Sequence, residues 1–228
     1  DIGTAIARHN DWPFDTLVYV VASEQQYHFK VLFHILAKLG HSWASNLYHL
    51  SYGMVNLPEG KMKSREGKVV DADDLLRELS EMAAVEIRNK EREEHVGDID
   101  ETSEKIALGA LNYFLLSTTP TKDMVFNPAE SLSFNGNTGP YLQYMGARIS
   151  SILKKYGKEI IPDGINYKAL KVDDEWEIVK MISEFPEAVG EAGKNLNPSI
   201  LTSYIYEIAK KFSKYYHDNP VLNNDNKE

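Results

Sequence analysis

The chain has 228 residues, 43% of them hydrophobic and 26% charged, with a formal net charge of -9 at pH 7. It contains no cysteine, which excludes disulfides and thiolate metal sites and predicts a reducing, cytoplasmic location. The acidic balance argues against DNA and against broad nucleic-acid binding, but it does not exclude a selective RNA partner. No apolar run approaches the roughly 20 residues that a membrane span needs. The seven histidines form no short ligand pair, so no metal site is predicted.

The first part of the chain predicts one βαβ unit. A strand is expected at Leu17–Ala22, because this run is short, β-branched and uninterrupted. Apolar residues recur at helical spacing over 24–39, and Gly40 follows as a stop. A second strand is predicted at 48–55. In a parallel sheet of this kind, ligands lie at the carboxyl ends of the strands.

The rest of the chain predicts mainly helices. Asp71 can cap a first helix, and a second one is expected over 102–116. Turn-forming residues crowd 118–137, where we place a domain junction with β-like pieces at 124–126 and 132–134. Three further helices are expected, with an offset near Pro186 in the middle one; they span 140–156, 176–193 and 197–216.

Residues 61–70 (KMKSREGKVV) concentrate positive charge on one short segment. It holds four cations and one hydroxyl, and it comes soon after the second predicted strand. Such a segment can fold over a triphosphate and supply positive charge where negative charge develops. A short basic loop is more often a solvated surface turn, so the segment alone does not decide the function.

Four segments of the chain are distinctive: VASEQQYHF (21–29), SYGMV (51–55), KMKSREGKVV (61–70) and NTGPYLQYMGARISSIL (137–153). In this order they resemble one family, the arginine–tRNA ligases among the class I aminoacyl-tRNA synthetases. The third resembles the KMSKS signature of class I enzymes, and the resemblance extends from residue 1 to about residue 222. It implies a mainly α fold with a small α/β part, a remnant of a Rossmann-like catalytic domain followed by a helical anticodon-binding bundle.

The resemblance also implies three regions. The second half of the catalytic domain with its KMSKS-like loop would occupy 1–70, a helical connector 71–120, and a truncated helical anticodon-binding domain 121–228. The HIGH signature of the family has no counterpart here, and the last helices of the anticodon domain are also missing. We therefore expect an internal piece of a synthetase that does not aminoacylate by itself.

The implied activity of the complete enzyme is ATP-dependent ligation of arginine to its tRNA. In this family, adenylation of the amino acid precedes acyl transfer, Mg²⁺ accompanies the nucleotide, and activation generally needs tRNA. The implied partners are therefore L-arginine, ATP and the tRNA for arginine.

The resemblance places substrate-binding roles on five residues. Asp1 and Gln25 would hold the arginine side chain, because a guanidinium needs planar, charge-assisted acceptors. His28 would contact ATP, although a surface or core histidine is the alternative. The main chain of Met54 and Val55 would hold adenine, although an ordinary buried strand is equally compatible with their sequence.

The KMSKS-like loop carries the implied catalytic residues. Lys61 matches the first lysine of the signature and is expected to contact phosphate in the transition state. Lys63 stands where serine is usual, and Ser64 stands where the second lysine would be. Arginine enzymes often lack that second lysine, and whether Lys63 replaces it stays open.

Three residues of the helical region are candidates for tRNA contacts. Arg148 could meet phosphate, while Phe212 and Tyr216 lie one helical turn apart beside Lys210, Lys211 and Lys214. Aromatic rings with adjacent cations suit stacking on unpaired bases. Burial in the core of the helical bundle is the alternative for both rings.

Two other functions stay open. The first is a non-catalytic helical RNA-binding or assembly module derived from a synthetase. The second is a synthetase for another amino acid, such as cysteine, and the context of Gln25 and the GPYLQY segment count against it.

Overall fold

A computed structural model describes residues 1–58, 71–89, 97–158, 166–219 and 221. Residues 61–70, which include the predicted catalytic loop, lie outside this part of the chain. The described residues form two compact units. The first takes its described residues from Asp1–Lys61 and Thr118–Val125, and the second from Met62–Ser117 and Phe126–Glu228. The chain therefore returns to its first unit, and the predicted regions 1–70, 71–120 and 121–228 stay a prediction.

The first unit contains two pairs of parallel strands and two helices. Its elements are α1 (Ile2–Asp11), β1 (Leu17–Ala22), a 3₁₀ turn (Ser23–Gln25), α2 (Gln26–Lys38), a second 3₁₀ turn (Ser42–Asn46), β2 (Leu47–Tyr52), β3 (Val55–Asn56) and β4 (Met124–Val125). β1 pairs with β2 and β3 pairs with β4, both in parallel. The predicted βαβ unit is confirmed.

The prediction of one continuous strand over 48–55 is wrong, because the segment forms two strands, β2 and β3. The chain leaves the ladder with β1 after Tyr52, and it forms β3 with a different partner strand. The N–H of Gly53 donates to the C=O of Pro120 at 2.7 Å, so this segment turns toward residues far along the sequence.

The core of the first unit lies between α1, α2 and the β1–β2 sheet. Its buried side chains are Ala5, Phe29, Leu32, Leu36, Ala44 and Leu47. Helix α1 is absent from the sequence prediction, although Ile2, Ala5 and Ile6 recur at helical spacing. These three side chains pack into the core, where Ala5 is fully buried.

The second unit is helical. Its elements are α3 (Ala72–Asn89), α4 (Ile99–Ser117), α5 (Pro128–Ser131), α6 (Gly139–Tyr156), a 3₁₀ turn (Tyr167–Ala169), α7 (Asp173–Ser183), α8 (Phe185–Lys194) and α9 (Ser199–Asp218). Together with the first unit, this confirms the predicted fold class, mainly α with a small α/β part. Among the described residues, no helix is long and apolar enough to cross a membrane.

Helix boundaries in the second unit follow local chemistry. The carboxylate of Asp71 accepts the N–H of Asp73 at 2.9 Å, which confirms the predicted cap of α3. The single helix predicted over 176–193 is divided at Glu184, because Pro186 lies in the first turn of α8, which confirms the predicted offset. The β-like piece predicted at 132–134 is wrong, since these residues form a turn after α5.

The backbones of α4 and α6 touch. A Cβ built on Gly139 would lie 2.2 Å from the carbonyl oxygen of Gly109, far inside any allowed contact. A Cβ on Gly109 would lie 2.3 Å from Nε2 of Gln143. The glycine of the NTGPYLQY segment is therefore required by a close helix crossing, whatever else the segment does.

We expect Gly139→Ala to lower the free energy of unfolding by about 1–3 kcal/mol or more, because the added methyl group has no space. Gly146 lies on the same helix with open space around it, so Gly146→Ala should be neutral or stabilise by up to about 1 kcal/mol. Urea denaturation followed by far-UV circular dichroism measures both. Equal stability of the two variants would contradict the close crossing.

Candidate functional site

The carboxyl ends of β1 and β2 form the edge where the predicted substrate segments meet. In the parallel register, Ala22 lies opposite Tyr52, so the chain leaves both strands at the same edge. Nε2 of Gln26 donates to Oγ of Ser51 at 2.8 Å, which ties the start of α2 to the end of β2. Two segments that are far apart in sequence therefore emerge side by side, as the sequence predicted for a ligand-binding edge.

Asp1 and His28 form a pair in the first unit. Nε2 of His28 lies 2.9 Å from Oδ2 of Asp1, and the side chains are 49% and 65% exposed. The His28 ring also packs edge-on against Phe29, with 5.4 Å between the ring centroids. The residue predicted for arginine and the residue predicted for ATP are thus direct neighbours.

Gln25 and Gln26 have different surroundings although they are adjacent in the motif. Gln25 ends the 3₁₀ turn after β1, is exposed, and its side chain makes no capping hydrogen bond to α2. Gln26 instead bonds Ser51, which is buried. The sequence prediction named Gln25 and did not identify the hydrogen bond between Gln26 and Ser51. Two adjacent glutamines do not reveal which of them faces the second strand.

The segment after β2 is held by hydrogen bonds to Asp123 and Met124, which lie far along the sequence. The N–H of Met54 donates to Oδ1 of Asp123 at 2.7 Å, and the C=O of Met54 accepts the N–H of Met124 at 2.9 Å. Both main-chain groups of Met54 therefore have partners within the protein. Sequence reasoning missed Asp123, since no local pattern connects it with Met54. The roles of Met54 and Val55 in adenine binding stay predictions.

The predicted catalytic residues Lys61, Lys63 and Ser64 lie outside the described residues. The structure therefore adds no geometry to them, and their roles stay predictions. Among the residues that the structure does describe, no group of three or more His, Asp or Glu side chains is placed to hold a metal ion.

Three residues predicted to contact tRNA lie together in the second unit. The Arg148 guanidinium carbon lies 4.8 Å from the ring centre of Tyr144 and 5.0 Å from that of Tyr216. Its Nη2 also donates to the Tyr144 hydroxyl, and the rings of Phe212 and Tyr216 are 6.0 Å apart. The sequence prediction missed Tyr144, although its position four residues before Arg148 on one helix is the signal. We call these four side chains the aromatic–arginine cluster.

Two of the three lysines beside this cluster form ion pairs. Lys211 contacts the carboxylates of Asp174, at 2.7 Å, and Glu177. Lys210 lies 3.6 Å from Glu207. Lys211 thus joins α9 to α7, and its charge is balanced within the protein rather than offered to a phosphate.

Hydrogen bonds and burial between α7 and α9 shift the pKa values of two carboxyl groups and one tyrosine. The hydrogen bond from Lys211 lowers the pKa of Asp174 below its ordinary value of 3.8. The backbone N–H of Val172 lowers the pKa of Glu175 below 4.5. Burial, together with the hydrogen bond to Glu175 at 2.7 Å, raises the pKa of Tyr215 to about 12. Both carboxylates are therefore charged over the neutral range, where they hold α7 against α9.

Two family models match the chain in sequence. The model described as tRNA synthetases class I (R), catalytic domain, matches residues 1–128. The model described as DALR anticodon binding domain matches residues 142–228.

Individual proteins agree with these matches. Arginine–tRNA ligases of Treponema denticola and Treponema pallidum are 59% and 55% identical to the chain, of which they cover 99% and 97%. The solved structure of Thermus thermophilus arginyl-tRNA synthetase is 30% identical, covers 93% of the chain with 36% of its own, and superposes with a TM-score of 0.81. The chain spans only 38–39% of the length of the two Treponema relatives.

The ion pairs of Lys211 predict an acid-sensitive helical unit. A lowered carboxyl pKa contributes stability above the unfolded pKa, and this contribution is lost as the pH falls below about 4. Lys211→Met should therefore lower the urea midpoint at neutral pH and make the further loss below pH 4 smaller than in the unaltered chain. Lys210→Met, with its more exposed and longer ion pair, is the control and should change little. An unchanged acid dependence in Lys211→Met would contradict this account.

Proposed function

The chain belongs to the class I arginyl-tRNA synthetase family, and we propose that it takes part in ATP-dependent ligation of arginine to its tRNA. In the first step, the arginine carboxylate attacks the α-phosphorus of ATP, and the bond to pyrophosphate breaks. In the second, a hydroxyl of the terminal tRNA ribose attacks the arginyl carbonyl, and AMP leaves. The activity is proposed for an enzyme of the relatives' full length, acting in the cytoplasm.

The observation that carries this proposal is the shared carboxyl edge of β1 and β2. Ala22 and Tyr52 end the strands opposite each other, so the segment with Gln25 and the segment with Val55 start from one place. A reaction between an amino acid and a nucleotide needs both held in contact at one site, because positioning supplies a large part of the rate. The edge offers that proximity without further folding.

Arginine would be recognised by carboxylate and amide oxygens. The Asp1 carboxylate is a planar acceptor that suits a guanidinium, and the exposed Gln25 amide can supply a further acceptor. His28 touches Asp1 at 2.9 Å and is proposed to contact ATP. One histidine would therefore lie between the two substrates, able to hold the orientation of Asp1 while it meets the nucleotide.

The nucleotide would be held by main chain and by the basic loop. Val55 follows Met54 in an extended segment, so its N–H and C=O point to the edge opposite the bonds with Met124. These groups suit the donor and acceptor edge of adenine. The described chain reaches Pro58, three residues before Lys61. We propose that Lys61, assisted by Lys63 and Ser64, meets the phosphates. Mg²⁺ would come with them, since it is usually held largely by substrate phosphates.

The aromatic–arginine cluster is proposed as a tRNA contact. Arg148 is held between two tyrosine rings, so its guanidinium plane is oriented before any ligand arrives. Phe212 and Tyr216 are partly exposed, and we propose that unpaired bases stack on these rings.

For the chain as a whole, we propose that residues 1–70 serve catalysis, residues 71–120 form a connector and residues 121–228 bind the anticodon.

We expect Lys61→Ala, in an enzyme of the relatives' full length that carries these residues, to lower kcat about 10²-fold or more. The KM for arginine should change little, because the lost contact forms in the transition state. Arginine-dependent ATP–pyrophosphate exchange with saturating tRNA measures both. Lys38→Ala, an exposed lysine at the end of α2, is the control. An unaltered enzyme that binds tRNA but shows no exchange would favour a non-catalytic module instead.

We expect Tyr216→Ala to raise the KM for tRNA in aminoacylation by about 5- to 100-fold, since one stacked base contributes about 1–3 kcal/mol. Tyr216→Phe keeps the ring and should stay close to the unaltered enzyme. The KM for arginine at saturating tRNA should be unchanged in both variants. If Tyr216→Ala lowers only the melting temperature, the ring is a core residue and not an RNA contact.

A further inference from the structure

Two segments far apart in sequence are bonded together in the first unit. The N–H of Gly53 donates to the C=O of Pro120 at 2.7 Å, and the N–H of Met124 donates to the C=O of Met54 at 2.9 Å. These bonds lead into the parallel pair of β3 and β4. The segment that follows β2 is therefore held along its length by residues 120–125.

The main chain at Gly53 packs directly against the main chain at Lys122. A Cβ on Gly53 would lie 2.1 Å from the carbonyl oxygen of Lys122, so the two backbones are in direct contact. The second motif, SYGMV, thus needs its glycine because another main chain passes over it.

Asp123 adds a side-chain bond to this contact. Its Oδ1 accepts the N–H of Met54 at 2.7 Å, across 69 positions of sequence. Bonds from N–H groups to a charged carboxylate are shorter and stronger than bonds between neutral groups. The local turn is already closed by the N–H of Lys122, which donates to the C=O of Thr119 at 3.0 Å. The Asp123 carboxylate is therefore used to hold the distant segment and not its own turn.

The direction in which the N–H and C=O of Val55 point depends on the bond between the Met54 N–H and the Asp123 carboxylate. Met54 is held on both its N–H and its C=O, which fixes the peptide planes on either side of it. The N–H and C=O of Val55 alternate with those of Met54 and point the other way. A base that is recognised by main-chain groups can be held only if those groups lie within about 0.5 Å of the required position.

We propose that Asp123 is a positioning residue for ATP, acting through the N–H of Met54 on the main chain of Val55. This inference rests on the proposed function, in which that main chain holds adenine. Asp123 itself does not touch the nucleotide. It sets the geometry of the groups that do, from a segment that lies outside the nucleotide-binding motifs.

The test uses an enzyme of the relatives' full length and measures arginine-dependent ATP–pyrophosphate exchange at saturating tRNA, with ATP and arginine varied in turn. Asp123→Ala should raise the KM for ATP about ten-fold, with kcat and the KM for arginine changed less than about three-fold. Asp123→Asn keeps an oxygen acceptor at the same place and should restore a KM close to that of the unaltered enzyme. Asp123→Glu keeps the charge but displaces the acceptor, and it should raise the KM for ATP even if the alanine variant fails to fold.

Asp98→Ala is the matched control. Asp98 is also exposed, and its Oδ1 accepts a main-chain N–H, that of Glu101, at 3.0 Å in the second unit. Its loss should lower the melting temperature slightly and leave the KM for ATP unchanged.

Each other outcome contradicts the inference in a recognisable way. An unchanged KM for ATP in Asp123→Ala would show that the bond only closes the fold. An equal rise in Asp123→Asn and Asp123→Ala would assign the effect to charge and not to position. An unaltered enzyme without arginine-dependent exchange would overturn the proposed function, and this inference with it.

Discussion

The parallel pairing of β1 with β2 is the constraint on which the candidate site depends. A parallel pair brings the carboxyl ends of both strands to one edge, and its crossover must be long enough to hold a helix. Here α2 is that crossover, and it carries His28 in its first turn while Gln25 precedes it. The chain leaves this pairing at Gly53, and the bond between Gln26 and Ser51 joins the end of β2 to the first turn of α2. The segments predicted to bind the amino acid and the nucleotide are neighbours because the two strands run in the same direction.

A comparable constraint organises the second unit. The contact of Gly139 with Gly109 allows α6 to cross α4 at backbone distance. The Tyr113 hydroxyl then lies 2.5 Å from Oδ1 of Asn137, just before α6, and 3.1 Å from the C=O of Thr202 on α9. Burial raises the pKa of Tyr113 to about 12, so the hydroxyl keeps its proton and can donate. Three helices are thereby connected at one point, and the face of α6 that carries Arg148 meets the face of α9 that carries Tyr216.

Much of the fold could be predicted from the sequence because the relevant signals are local. The β-branched run at Leu17–Ala22 and the carboxylate of Asp71 before a helix act on residues within a few positions, and both are confirmed. Helix α1 was not predicted, although Ile2, Ala5 and Ile6 recur at helical spacing and pack into the core. For the site, the sequence named Asp1 and His28 separately, and the structure shows that they touch. It placed Lys211 among the cations adjacent to the rings, and the structure pairs it with carboxylates of another helix.

The motifs, their spacing and, through both, the family can be read from the sequence alone. These are properties of neighbouring residues, which stay the same however the chain is folded. Only the tertiary structure decided which groups meet across long distances, such as Asp123 with Met54 across 69 positions. No local pattern encodes such a pair, because the path of the intervening chain sets the distance between its members. The motif SYGMV shows the difference. Gly53 can be read from the sequence, but the main chain at Lys122 that leaves no space for a side chain there is seen only in the fold.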